Sequence, residues 1–302
     1  MIKLIETGAF GNYKSLKGRR HMIKEKILVK GLALVIGVIM LFIMSMPFAV
    51  SARLTSTDLV YQGAFSFPEG DAWIYGGVAL AYYPSGDPDG TDGYPGSLYA
   101  TGNDQNDLVG EFTIPTPIIT GNFDNLTKAT VLQPLTDITG GLIETFTTCG
   151  DRSDRNLDGL AYIPEIDKIV WNLRDWFNVE ACDNDSLGWS DLDLTGAQGV
   201  WHIGPRTSAE DELAEFHNAK TCDYLFKAPQ SFADEYLGGR SLIAGNHREG
   251  GALGGSSGPT LYAVTLPEAG SPPAAGQNLD ALALVYYRFR FGCCWDESSN
   301  VI

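Results

Sequence analysis

Apolar residues come along this chain in short runs that alternate with polar positions and stop at Gly, Pro, Asn or Asp. Between Gly76 and Gln133 four such runs predict strands: Gly77–Tyr83, Ser97–Thr101, Leu108–Ile114 and Lys128–Leu132. Runs this short, closed by turn formers, have the length of strands rather than of helices. In the third, Leu108, Gly110, Phe112 and Ile114 fall on one side and Val109, Glu111 and Thr113 on the other. That is the two-residue period of a sheet.

The runs return further on. Ser97-Leu98-Tyr99-Ala100 comes back as Ser241-Leu242-Ile243-Ala244, and Phe112-Thr113-Ile114-Pro115 as Val264-Thr265-Leu266-Pro267. Asn125-Leu126 comes back as Asn278-Leu279, ahead of an apolar run from Ala281 to Phe291. A weaker copy lies midway, where Leu160-Ala161-Tyr162-Ile163-Pro164 echoes Leu80-Ala81-Tyr82-Tyr83-Pro84. Lys168–Trp171, Leu187–Leu194 and Gly199–Gly204 supply three more strands there.

A four-stranded antiparallel unit repeated along a chain is the sequence form of a propeller blade, in which each sheet buries its faces on its neighbours. The predicted fold is therefore all-β: a β-propeller, complete or incomplete, over residues 53–302, with repeats near 76–133, 158–204 and 232–290. A sandwich of two facing sheets is the other arrangement open to such strands. Asp58–Phe65 reads as a lone strand ahead of the first repeat, placed to complete the last blade and close a ring. Three blades are fewer than the usual four to eight. A longer parent protein is the first explanation, ahead of self-association or an open array.

Two stretches predict a short helical insertion. Ser208 leads Ala209-Glu210-Asp211-Glu212 as an N-cap with an acidic first turn, and Ser231–Leu237 ends at Gly238-Gly239.

Residues 1–52 do not belong to the repeats. Lys24 and Lys26 precede an apolar run from Gly31 to Val50, and Val50-Ser51-Ala52 has the small residues of a cleavage site. This is the layout of a signal peptide; Met22 is the expected true start. The run is also long enough to span a bilayer, so an uncleaved leader is the one expected membrane contact. Either way the protein is exported, to the periplasm or the extracellular space.

Beyond residue 52 the chain keeps 13 Lys and Arg against 35 Asp and Glu, a net charge of about −22. Such an acidic surface repels nucleic acid and anionic lipid. The five cysteines include no C-x-x-C spacing, and Cys149 with Cys182 is the expected disulfide of an oxidising compartment.

Asp154-Arg155-Asn156-Leu157-Asp158-Gly159, with Glu165 six residues on, matches a calcium-loop spacing in which alternate oxygen side chains converge on a hard cation. Asp154, Asn156 and Asp158 are the candidate calcium ligands, with Glu165 as the fourth. The same residue types also suit an ordinary tight turn. Asp87–Gly93 and Asn103–Asp107 are further acidic turns, and turns of one side of a blade share one face of a ring. Catalytic signals are thin: His202, His217 and His247 have no partner at motif spacing, and Gly254–Gly258 lacks a strand-to-helix elbow. The tryptophans and tyrosines are assigned to packing between sheets, with a sugar-stacking groove as the alternative.

The succession Gly77-Val78-Ala79-Leu80-Ala81-Tyr82, Ser97-Leu98-Tyr99-Ala100-Thr101-Gly102-Asn103-Asp104 and Val109-Gly110-Glu111-Phe112-Thr113-Ile114-Pro115 resembles exported bacterial β-propeller proteins of uncharacterised function. More distantly it is similar to phytase-like esterase propellers. The second resemblance implies calcium at an acidic face and hydrolysis of phosphoesters, but the chain lacks the Lys and Arg cluster that holds phosphate. The expected function is that of a calcium-stabilised binding or interaction module for a protein or polysaccharide ligand. A calcium-dependent esterase or phosphoesterase is the alternative, and a structural envelope or matrix protein the second.

Overall fold

The computed structural model describes residues 55–103, 106–145, 155–175, 185–206, 216, 224–246 and 260–286. The chain divides into two units, Met1–Tyr61 and Gln62–Ile302. In the first, Ser56–Asp58 forms a 3-10 turn, closed where the backbone N–H and hydroxyl of Thr55 both donate to Asp58 Oδ2, at 2.7 and 2.8 Å.

The second unit is all-β with a single α-helix among the described residues. Its strands are β1 (Phe65–Ser66), β2 (Leu80–Tyr83), β3 (Gly93–Thr101), β4 (Val109–Pro115), β5 (Thr127–Lys128), β6 (Val131–Thr136), β7 (Arg155–Ile163), β8 (Lys168–Asp175), β9 (Leu187–Ser190), β10 (Gln198–Ile203), β11 (Tyr224–Lys227), β12 (Leu242–Asn246), β13 (Thr260–Val264), β14 (Asn278–Leu279) and β15 (Ala281–Val285). Three larger sheets result, antiparallel but for β14: β2-β3-β4-β6, β7-β8-β9-β10-β14 and β11-β12-β13-β15. Among the described residues no helix is long and apolar enough to cross a membrane; the apolar run Gly31–Val50 lies outside them.

Strand pairing fixes which residues of the three sheets are equivalent. Leu80 stands opposite Ala100, Leu160 opposite Trp171 and Leu225 opposite Ala244, each on the first strand of its sheet. The register confirms two of the sequence matches, because Ser97 and Ser241, and Phe112 and Val264, fall at equivalent positions. The third match is out of step. Val131 and Ala281 are equivalent as partners of Phe112 and Val264, which pairs Lys128 rather than Asn125 with Asn278. Asn125 instead closes a 3-10 turn, Phe123–Asn125, capped by the Asn122 side chain.

Two boundaries also move. The third sheet begins at Tyr224, ahead of the helix rather than at residue 232, because its first hairpin is spanned by α1 (Gln230–Tyr236) instead of a tight turn. The helix stops at Gly238 and Gly239, both at positive φ, as the sequence predicts. The second sheet begins at Arg155, so the stretch expected as a loop is already strand.

The sheets stack face to face. The second presents Leu157, Leu160, Ile169 and Trp171 to Ala79, Ala81, Tyr99 and Val109 of the first. Its other face sets Ala161, Val170, Trp189 and Trp201 against Leu225, Leu242, Ala244 and Tyr262 of the third. Packing is close: a Cβ on Gly188 would fall 2.2 Å from the Trp171 ring, so that bulky indole lies flat only over glycine. First strands are neighbours, with β7 against both β2 and β11.

Short parallel pairings join successive layers. Just before its outer strand, the third sheet sends β14 to pair with β10, His202 opposite Asn278. Just before its own outer strand, the first sheet sends β5 to pair with β1, Ser66 opposite Lys128. On the far face of the third sheet α1 sets Ala233 and Leu237 over Ile243 and Ala263.

Candidate functional site

The calcium-spaced residues that the structure describes lie along and just past one strand. Asn156 and Asp158 lie within β7, Asp158 beside a bulge between Leu157 and Gly159. Glu165 lies past the other end of that strand, where its carboxylate accepts from Lys227 Nζ. Asp154 and the Cys149 and Cys182 pair fall outside the described residues. Among the described residues no three His, Cys, Asp or Glu side chains are grouped closely enough to hold a metal ion. The local reason is strand pairing: the Asn-x-Asp alternation that suits a turn here serves a ladder against β8.

The start of β7 is bound to the acidic turn Asn103–Asp107. Leu157 N–H donates to Asp107 Oδ1 at 2.9 Å, and Asp107 sits at positive φ. Of the histidines, His202 is buried on β10, its Nδ1–H donating to Gly204 O at 2.9 Å; the other two are not described. Trp171, Trp189, Trp201 and Tyr99 are fully buried, as the packing assignment expects.

The most developed polar cluster lies where the first and second sheets meet. Glu111, on β4, is 5 % exposed, and Ser97, on β3, is 0 % exposed. The Ser97 hydroxyl donates to Glu111 Oε1, and Gln133 Nε2, from β6, donates to Oε2 at 2.6 Å. The same amide donates to Leu192 O at 2.8 Å, which also accepts from the Tyr99 hydroxyl at 2.7 Å. Leu192 follows β9, so the chain of bonds ties three strands of one sheet to a turn of the next. No cation stands within 4 Å of the Glu111 carboxylate among the described residues. Its charge is held by hydrogen-bond donors alone, which a buried carboxylate requires.

The turn after β2 closes over this carboxylate. A Cβ on Gly86 would lie 1.7 Å from Ser97 Oγ and 2.5 Å from Glu111 Oε1, so only glycine fits. Ser97 and Glu111 have the atoms of a nucleophile and a base, but with the hydroxyl sealed their role is to join strands.

Tyrosines form the outer part of the cluster. The Tyr83 ring meets Tyr162 edge-on at 4.9 Å and Tyr99 at 6.1 Å, and the Tyr162 hydroxyl donates to Asp167 Oδ1 at 3.2 Å. Burial, and next to it the Glu111 charge, holds the Tyr99 phenol far above its ordinary range. Burial, then the Asp167 bond and charge, pushes Tyr162 up to about 12. Both remain protonated donors at neutral pH.

The Tyr83–Tyr162 contact and the Lys227–Glu165 pair bring the ends of β2, β7 and β11 to one end of the stack. Antiparallel alternation puts the β2–β3, β7–β8 and β9–β10 turns there. They carry Asp87, Asp89, Asp92, Glu165, Asp167, Asp191 and Asp193. Among the described residues at this end, Lys168, Lys227 and Arg240 are bound to Asp191, Glu165 and Asp280.

No signal in the sequence marked the Glu111 cluster. A lone Glu in an alternating strand reads as a solvent-facing position, and the cluster is drawn from four separate segments, β3, β4, β6 and the turn after β9. No family model, no curated protein and no solved structure matches this chain.

Proposed function

We propose that the chain is part of an exported β-propeller that serves as a binding module, with a basic protein surface as its ligand. What supports this above all is the stacking of three sheets of one template with their first strands side by side, an arrangement that gathers like turns at one end. At that end, among the described residues, acidic side chains outnumber the cations, and those cations are already paired. A rim of one sign steers an oppositely charged partner and repels nucleic acid.

Immobilised oligolysine tests the proposal against a neutral polysaccharide matrix. The full chain is expected to bind oligolysine and to elute as salt shortens the screening length to a few ångströms. The triple variant Asp87→Asn, Asp89→Asn, Asp92→Asn is expected to elute at clearly lower salt. Retention on the polysaccharide alone, or elution of the triple variant with the parent, would sink it.

A further inference from the structure

Two asparagines of this chain stand two residues ahead of a Ser or Thr with no Pro between them, in Asn125-Leu126-Thr127 and Asn184-Asp185-Ser186. In an exported chain that spacing is read by an oligosaccharide transferase: the asparagine supplies the amide nitrogen, and the hydroxyl two residues on is recognised with it. The structure separates the two. Ser186 is 2 % exposed and leads into β9, its N–H donating to Trp201 O at 2.9 Å, while Asn184 lies outside the described residues. Asn125 is exposed and Thr127 half-buried.

Asn125 sits in a turn that does not use its side chain. Leu126 N–H donates to Phe123 O at 3.1 Å, which makes Phe123 the first corner of the turn and Asn125 the third. The turn is held from outside by Asn122, whose Oδ1 accepts from Asp124 N–H at 3.0 Å. Among the described residues no hydrogen bond engages the Asn125 amide. Phe123 is 86 % exposed, more than any other large apolar side chain among the described residues.

A single exposed Phe calls for no explanation by itself. Here it stands two residues from an unengaged acceptor asparagine, with Cα atoms at most about 7 Å apart. A sugar attached at Nδ2 comes within reach of the ring. An aromatic face is an apolar platform, and the C–H bonds on one side of a pyranose supply the matching surface. The similar Asn278-Leu279 of the third sheet lacks every part of this arrangement. Asp280 follows in place of a hydroxyl, Gly276 stands two residues before it, and Asn278 is paired in β14 opposite His202. The repeat itself therefore does not call for the combination of Phe123, Asn125 and Thr127.

From this combination we infer that Asn125 is the acceptor of an N-linked glycan and that Phe123 packs against its first sugar. The donor is an oligosaccharide carried on a lipid diphosphate. Asn125 Nδ2 forms a bond to the anomeric carbon as the bond from that carbon to the phosphate oxygen breaks. The lipid diphosphate leaves with the bonding pair, Nδ2 gives up one of its two protons to the transferase, and nothing is oxidised or reduced. The inference rests on export of the chain and is independent of what the acidic turns bind.

The test is intact-mass and peptide-mapping mass spectrometry on the full chain purified from the cells that make it, with fractionation to record where the chain is found. A glycan mass on the peptide carrying Asn125 is expected, lost in Asn125→Gln and in Thr127→Ala and kept in Thr127→Ser. Enzymatic removal of the glycan is expected to lower the melting temperature of the parent by about 2–4 °C, and that of Phe123→Ala by less than half as much. An unmodified Asn125 on exported chain would overturn this inference alone. Unmodified chain held inside the cell would overturn it together with the export reading. A glycan on Asn184 with Asn125 bare would overturn it as well, and an equal melting shift in Phe123→Ala would overturn the packing of Phe123 on the sugar.

Discussion

Leu160 and Leu80 occupy one position of one template, yet the first is sealed between two sheets and the second faces solvent. The far face of the third sheet makes a second contrast, because there α1 lies over Ile243 and Ala263. Sequence identity at a repeat position therefore does not set burial; what stands on the next layer does. A leucine in the alternating pattern marks a face that the template prepares for a neighbour. Where the neighbour is present that face is core, and where only β1 is present it remains half surface.

Truncating the three equivalent leucines separates these cases most sharply. Leu160→Ala and Leu225→Ala each remove a side chain from a packed junction and are expected to cost about 2–5 kcal/mol. Leu80→Ala is expected to stay within about 0.5 kcal/mol, as exposed substitutions do. Urea melts of the three variants give the comparison directly. Losses of equal size at all three would mean that the first sheet's face is covered in solution.

The sealed junction is polar as well as apolar, and its next weakest point is Gln133. Gln133→Leu leaves Glu111 Oε2 without its donor in a buried site and leaves Leu192 O with the Tyr99 hydroxyl as its one remaining side-chain donor. The expected loss is about 1–3 kcal/mol, the desolvation of an unsatisfied buried group. A variant as stable as the parent would show that the cluster does not hold the sheets together.

The same junction carries a signature in alkali. Tyr162 has its folded pKa raised from 10.0 to about 12, and Tyr99 is raised further. A phenol raised on folding contributes stability that is complete below the unfolded value. That contribution falls away as pH climbs through the folded one. Stability is therefore expected to hold up to about pH 10 and to decline between about 10 and 12. Tyrosinate absorbance is expected to rise in two stages, exposed tyrosines first and the junction tyrosines later.

Much of the first two sheets was legible because short alternating runs bounded by turn residues have few other ways to fold. Leu80–Tyr83, Ser97–Thr101 and Lys168–Trp171 all lie in strands. Tyr224–Lys227 escaped notice because four residues ahead of a helix carry no alternation long enough to show, and the partner strand begins only at Leu242. That Asn156–Gly159 is strand could not be read locally: the turn-forming residue types are there, but the cross-strand partners of Asn156 and Gly159 lie on β8, out of local view. The Glu111 cluster was invisible for a related cause. Its donors are brought in by the β-meander and by the stacking of a second sheet, and neither is encoded within any one segment.

The smallest expected effect lies on the exposed side of the second junction, where Lys227 of the third sheet meets Glu165 beside the second. Burial pushes the Glu165 carboxyl up, but the bond and charge of Lys227 outweigh it, leaving its pKa below the usual 4.5. A carboxyl lowered on folding contributes stability that is present above its unfolded pKa and is lost as pH falls through the folded one. The pair is half in solvent on the Glu165 side, where screening leaves about 0–1 kcal/mol. Lys227→Gln is therefore expected to shift the urea midpoint only slightly at neutral pH and not at all below about pH 3, where the carboxyl is protonated in both chains. A difference that persists undiminished in acid would assign the effect to packing of the Lys227 stem rather than to charge. The second and third sheets would then be joined by apolar contact alone, in contrast to the hydrogen-bonded seam between the first and second.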